Sequence, residues 1–321
     1  MAQGPDDFLA GEQTPGCTCQ PVGTVPTSKE GDVDIKRIVV GVDGSPPATA
    51  AARWAAREAA IRNVELTVVH VVHAAPRGWP QTAWPAIPDP AEFGESQVAQ
   101  GEKVLEDALG VIAKTTGPDQ PRRIATRLCV GAVVPTLREF NEGTGQMIVV
   151  GRRGHGRIHR ALLGSVSRAV LHAARCPVVV VHQHVTPARL SGAPVVVGID
   201  RSPASERAAA IAFDEASRRG AHVVAVHAID GPDTSRAEQL LTQSLAASQQ
   251  RHPDVGVRRV VARAHPADAL LDESQRAELV VVGSRGRSGL TGKLLGSVST
   301  AVVQACRIPV IVVRRHISRD T

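Results

Sequence analysis

Met147 to Ser167 reads M-I-V-V-G-R-R-G-H-G-R-I-H-R-A-L-L-G-S-V-S, and Leu279 to Ser299 reads L-V-V-V-G-S-R-G-R-S-G-L-T-G-K-L-L-G-S-V-S. In the first stretch Gly151, Gly154, Gly164 and Ser165 are spaced G-x2-G-x9-G-S, and Gly283, Gly286, Gly296 and Ser297 repeat that spacing in the second. Two copies predict two like domains. In each copy an apolar run such as Ile148 to Val150 suits a buried strand. The two glycines after it permit positive φ and a close approach to a ligand. Gly164 and Ser165 then open a helical pattern at Val166, Val170, Leu171 and Ala174, which makes Ser165 a candidate N-cap. The amides and dipole of such a helix face an incoming anion. Arg153 and Arg285, at matching places, supply positive charge. A glycine turn alone is the plain alternative for a single copy, but the duplication favours an anion site.

Outward from these loops the rest of the chain follows the same duplication. Ile35 to Val42 reads as a strand running into Gly41-Val42-Asp43-Gly44-Ser45, after which Pro46 opens an Ala-rich helix capped by Ser45 and ending near Arg62. Leu66 to Val72 reads as a buried strand. Val98, Leu105, Ala108, Leu109 and Ile112 recur at helical spacing before Gly117-Pro118. Ile124, Thr126 and Leu128 alternate with polar or small residues, as in a strand near a sheet edge. A short helix at about Val134 to Phe140, the strand at Met147, the helix after Ser165 and a strand at Pro177 to Val181 complete the unit. The second unit repeats the order from Val195 to Ile199, through Asp200-Arg201-Ser202-Pro203 and a helix closed by Gly220, to a last strand at Pro309 to Val313. Alternating strands and helices predict a parallel, doubly wound sheet in each unit.

Asp200 follows Asp43 by 157 residues, whereas Gly283 follows Gly151 by 132, so the first unit holds 25 more residues between its second and fourth strands. Much of the excess falls in Ala74 to Glu95, which contains five prolines with Trp79 and Trp84 and reads as a long loop of the kind that can cover a site. Residues 1–33 lack apolar periodicity and read as a flexible tail. The expected boundaries are 1–33 for the tail, 34–184 for the first domain and 192–317 for the second.

Composition narrows the functional classes. A chain of 321 residues has 43% hydrophobic but only 2% aromatic side chains and no Tyr, so its cores must be built from Val, Leu, Ile and Ala. Stacking platforms for single-stranded nucleic acid are therefore lacking. The net charge of +6 comes from 37 basic and 31 acidic residues without long basic runs. Of the five cysteines only Cys17 and Cys19 are close in sequence, and no partner ligands accompany them. His155 and His159 have i, i+4 spacing without an accompanying Glu, which suits solvated loop histidines. No run approaches the roughly 20 apolar residues that span a bilayer, and no apolar leader is seen, so a cytoplasmic protein with no membrane partner is expected. Neither G-x-x-x-x-G-K-[ST] nor a G-x-G-x-x-G turn is present.

The doubled G-x2-G-x9-G-S motif, together with strands ending in G-x-D at Asp43 and Asp200, resembles the ATP-binding type of universal stress protein in tandem form. The likeness runs from Asp34 to about Arg315. It implies two five-stranded parallel α/β domains of the adenine-nucleotide α-hydrolase-like fold. It also implies one ATP per domain, with or without Mg, and a regulatory role in stress or growth with slow or absent hydrolysis. In the first domain the resemblance places the backbone of Val71 at the adenine and Asp43 at the nucleoside or a metal-bound water. It places Gly151, Arg153, Gly154, Gly164, Ser165, Val166 and Ser167 around the phosphates. In the second it carries over to Asp200, Ala228, Gly283, Arg285, Gly286, Gly296, Ser297, Val298 and Ser299. Arg201 stands where the first domain has Gly44, and Asp43 and Asp200 also suit local capping. The last strand of each domain pairs across the dimer in this family, which implies pairing of the two domains within one chain and leaves a homodimer open. Two other readings stay open: an enzyme releasing pyrophosphate from ATP, and a dimerisation module with degenerate sites.

Overall fold

Val- and Ile-rich runs, apolar on both faces, can only be buried between two helical layers, and the described residues form ten strands of which the two at the sheet edges are the more polar and exposed. The computed structural model describes residues 35–72, 90–117, 123–140, 146–153, 163–183, 192–286 and 295–314. The first half runs β1 (Arg37–Gly41), α1 (Pro46–Arg62), β2 (Glu65–Val72), α2 (Pro90–Thr116), β3 (Arg123–Val130), α3 (Val133–Glu139), β4 (Gln146–Gly151), α4 (Ser165–Ala173) and β5 (Val178–Val181). The second runs β6 (Val195–Gly198), α5 (Pro203–Arg219), β7 (Val223–Ala228), α6 (Ser235–Arg251), β8 (Val257–Ala262), α7 (Pro266–Ser274), β9 (Leu279–Gly283), α8 (Ser297–Ala305) and β10 (Val310–Val313). Within each half the strands are parallel, in the orders β3-β2-β1-β4-β5 and β10-β9-β6-β7-β8. The edge position expected for β3 is observed.

Each half is thus a doubly wound α/β unit, and the two share one ten-stranded sheet. They join through β5 and β10, which pair antiparallel with Val179 opposite Ile311. Side chains alternate across the sheet. Ile38 and Val40 belong to the core on the side of α1, α2, α5 and α6, whereas Val39 belongs to the core on the side of α3, α4, α7 and α8. Alanines 51, 52, 55, 56 and 59 of α1 are completely buried and let that helix lie close to the strands.

Two differences from the sequence reading concern the first site. The Pro-Trp segment does not remain a loop to Glu95: α2 begins at Pro90 and has 27 residues against 17 in α6. Its apolar spacing starts only at Val98, so the preceding turns carried no periodic signal. Residues 73–89, with Trp79 and Trp84, lie outside the described residues, as do the tail with Cys17 and Cys19, Gly154, His155 and His159. Ser165, read as an N-cap, is instead the first residue of α4, and Gly164 takes the cap position with extended backbone and no side-chain cap bond. Gly296 and Ser297 show the same arrangement in α8.

The seam between the halves is charged as well as apolar. Glu58 and Arg62 of α1 match Glu215 and Arg219 of α5. Arg62 contacts Glu58 and reaches Glu215 at 2.5 Å, while Arg219 contacts both glutamates. Asp214 meets Arg62 at 2.9 Å and Glu278 meets Arg219 at 3.2 Å. Burial alone would raise the Glu58 carboxyl, but Arg219 and Arg62 outweigh it and hold the group at about 2.

Candidate functional site

The carboxyl ends of β1, β2 and β4 lie beside the point where strand order reverses, the place where open α/β sheets bind ligands. The turn after β1 is locally determined. Asp43 Oδ1 accepts the Ser45 amide at 3.0 Å, Gly44 takes φ +80°, and Ser45 Oγ caps α1 by accepting from Ala48 at 3.3 Å. The second turn repeats this through Asp200, Ser202 and Ser205, with distances of 2.9 and 3.1 Å. Arg201 holds φ +66° where the first domain has glycine. Asp43 and Asp200 thus hold the turn in both copies, and the helix caps are Ser45 and Ser202.

Two further contacts, absent from the sequence reading, fix the turns. His70 Nδ1 donates to the Val42 carbonyl and His227 Nδ1 to that of Ile199, each at 2.7 Å. Ser45 and Ser202 hydroxyls reach the carbonyls of Arg153 and Arg285 at 3.4 and 3.2 Å, tying each first turn to its glycine loop. The equal offsets of these residues between the copies were the available signal.

The loops after β4 and β9 fold back on themselves. Gly164 donates to the Arg152 carbonyl at 2.9 Å and Gly296 to that of Ser284 at 2.8 Å. Ser167 is buried and donates to the Gly151 carbonyl at 2.7 Å, and Ser299 donates to Ser284 at 3.2 Å. These two serines hold the loop in shape from inside the wall. A Cβ at Gly151 would lie 2.6 Å from the Pro47 carbonyl carbon, and one at Gly286 would lie 2.7 Å from Asp200 Oδ2. Glycine therefore lets β4 approach α1 and lets the Asp200 carboxylate rest on the second loop.

In the first half these elements enclose a cleft of about 650 Å³. Asp43, Val71, Gly151, Arg153, Gly164, Ser165, Val166 and Ser167 all line it, so the structure brings together every described residue that the sequence assigned there. Pairing of β1 with β2 stops at Gly41 opposite Val69, and Val42 then donates to the Val69 carbonyl at 2.9 Å. By the two-residue alternation of a strand, the peptide edge of Val71 points to the same side, beyond the end of β1. Ile199 and Val226 place Ala228 likewise in the second half. The cleft also takes Gln97, Gln100 and Val104 from α2 and Arg168 from α4, which the sequence did not single out. Burial first, and then Arg153 beside it, disfavours the charged form of Arg152.

Among the described residues no group of three or more His, Cys, Asp or Glu could hold a metal. No described helix is long and apolar enough to cross a membrane.

Fold and geometry together define a tandem α/β protein with a glycine loop beside the switch point of each half and a cleft at the first. The universal stress protein family model matches residues 34–182 and again 193–314, and the chain belongs to that family. It is 46% identical over 292 residues to universal stress protein Rv2005c of Mycobacterium tuberculosis, covering 87% of this chain and 97% of that protein. Rv2623 of the same organism is 44% identical over 296 residues, covering 88% and 97%. A crystal structure of a universal stress protein from Archaeoglobus fulgidus shares the fold, with a TM-score of 0.66 at 21% identity, covering 87% of this chain and 98% of that one.

Proposed function

We propose that each domain binds one ATP and that the bound state acts as a regulatory signal in stress or growth, with hydrolysis slow or absent. The observation that carries this reading is the order of groups along the first cleft. A free peptide edge and apolar wall at Val71 suit a purine, the Asp43 carboxylate suits sugar hydroxyls, and the uncapped start of α4 with Arg153 and Arg168 suits phosphates. A magnesium ion would be carried mainly by the phosphates. Asp43 is the sole carboxylate among the described residues lining the cleft, and it accepts the Ser45 amide, which leaves it poorly placed as a general base.

The purified chain, denatured and analysed by chromatography and mass, is expected to release ATP. Gly164→Val crowds the Arg152 carbonyl, 3.2 Å from the added Cβ, and Gly286→Val displaces Asp200. Each substitution should lower bound nucleotide by about one per chain. Pyrophosphate appearing on addition of ATP would favour the enzyme, and no nucleotide at either site would favour the dimerisation module.

A further inference from the structure

Gln97, Gln100 and Val104 lie three and four residues apart on one face of α2, and all three line the first cleft. The helix reaches that position because residue 101 is glycine: a Cβ there would lie 2.7 Å from Leu128 Cδ1, 2.9 Å from His70 Cδ2 and 3.1 Å from Val72 Cγ2. α2 therefore crosses the ends of β2 and β3 at backbone distance, and the turn before the crossing presents two side-chain amides to the cleft that holds Val71. Burial along residues 101–110 alternates identically with that along 241–250. That register sets Ala237 and Leu240 against Gln97 and Gln100, and the register one turn earlier, which aligns Glu102 and Leu105 with Glu238 and Leu241, sets Asp233 and Arg236 there, so neither places an amide at those positions.

We infer that Gln97 and Gln100 select the base in the first site, so that the two sites of one chain differ in base specificity. This rests on the nucleotide reading given above. A side-chain amide offers a donor and an acceptor side by side, which match the adjacent amino group and ring nitrogen of adenine. Guanine offers two acceptors on the corresponding edge and can satisfy only the amide donor. Adenine held by the Val71 peptide edge would then meet the amides on another edge.

The test uses the full chain carrying Gly286→Val, which confines binding to the first site, with Gln97→Leu and Gln100→Leu added together. Leucine preserves helix propensity, and an unchanged melting temperature verifies folding. Calorimetric titrations with ATP, GTP and inorganic tripolyphosphate separate base from phosphate recognition. We expect the double replacement to weaken ATP about tenfold and to abolish most of the ATP-over-GTP preference, with tripolyphosphate unchanged. An ATP-to-GTP ratio that survives the replacement overturns the inference while leaving the nucleotide reading intact. Equal losses for all three ligands show a structural role for the glutamines and also overturn it. If the Gly286→Val chain binds no ATP, the nucleotide reading of the first site fails, and the inference with it.

Discussion

At the scale of single residues, Gly151 and Gly283 occupy matching places but differ in tolerance. A Cβ at Gly151 meets backbone at 2.6 and 2.8 Å, whereas one at Gly283 meets its nearest neighbour, the Ala204 methyl, at 3.0 Å. Gly151→Ala should therefore cost about 2 kcal/mol and Gly283→Ala no more than about 1 kcal/mol, as overpacking does in rigid and yielding sites. Urea midpoints with an unchanged slope check this. His182 follows β5, is buried, and donates to the Val303 carbonyl of α8, while its Nε2 has no partner among the described residues. Burial above all, then Arg152, pushes its pKa from 6.5 to about 4. Between those values the unfolded chain takes up a proton and the folded chain does not, so the contribution of His182 to stability is complete above pH 6.5 and is lost toward pH 4. The stability difference between wild type and His182→Gln should fall by up to about 3 kcal/mol across that window. A pH-independent difference would exclude it.

At the scale of elements, α4 and α8 are asymmetric helices. Their first turns are left without side-chain caps, which frees amides for a ligand, and their last turns are closed from the opposite domain. Arg314, after β10, donates to the carbonyls of His172 and, at 3.0 Å, Ala174 at the end of α4, and His182 makes the reciprocal contact to α8. A cation at a helix C-terminus stabilises both orphan carbonyls and the dipole. Arg314→Ala should cost about 2 kcal/mol by loss of these charge-assisted bonds. In hydrogen exchange the last turn of α4 should lose protection first, and uniform loss over the whole chain would count against a local cap.

At the scale of the whole molecule, β5 and β10 would be bare apolar sheet edges in separate domains, and their pairing removes both. Halves expressed separately should associate or aggregate, and soluble monomeric halves of unchanged stability in a sedimentation experiment would contradict this. The four-membered cluster of Glu58, Arg62, Glu215 and Arg219 adds specificity to the same seam. Arg62→Met leaves buried carboxylates undercompensated and should cost about 3–5 kcal/mol, whereas replacing all four residues with apolar side chains of similar volume should cost far less. Thermal denaturation of the two variants distinguishes an orienting device from a simple source of stability.

The doubled motif and the alternation of strand and helix patterns by themselves determined the repeat, the parallel direction of the strands within each half and the strand ends where a ligand belongs, because glycine spacing and apolar runs are local properties of a chain. It also placed Ser45 and Ser202 at helix starts, where the proline that follows each is locally readable. Tertiary structure decided the rest. Ser165 and Gly164 compete for one cap within a single peptide unit, a choice made by backbone angles set by the Arg152 contact. The start of α2 at Pro90 and the cleft-facing role of Gln97 and Gln100 depend on how closely a helix can cross a strand, which Gly101 permits only because Leu128, His70 and Val72 lie beneath it. The crossed pairing of Glu58 with Arg219 and of Arg62 with Glu215 likewise joins residues more than 150 positions apart. No periodicity along the chain records such pairs, because their distance is fixed by the twofold packing of two domains rather than by either domain alone.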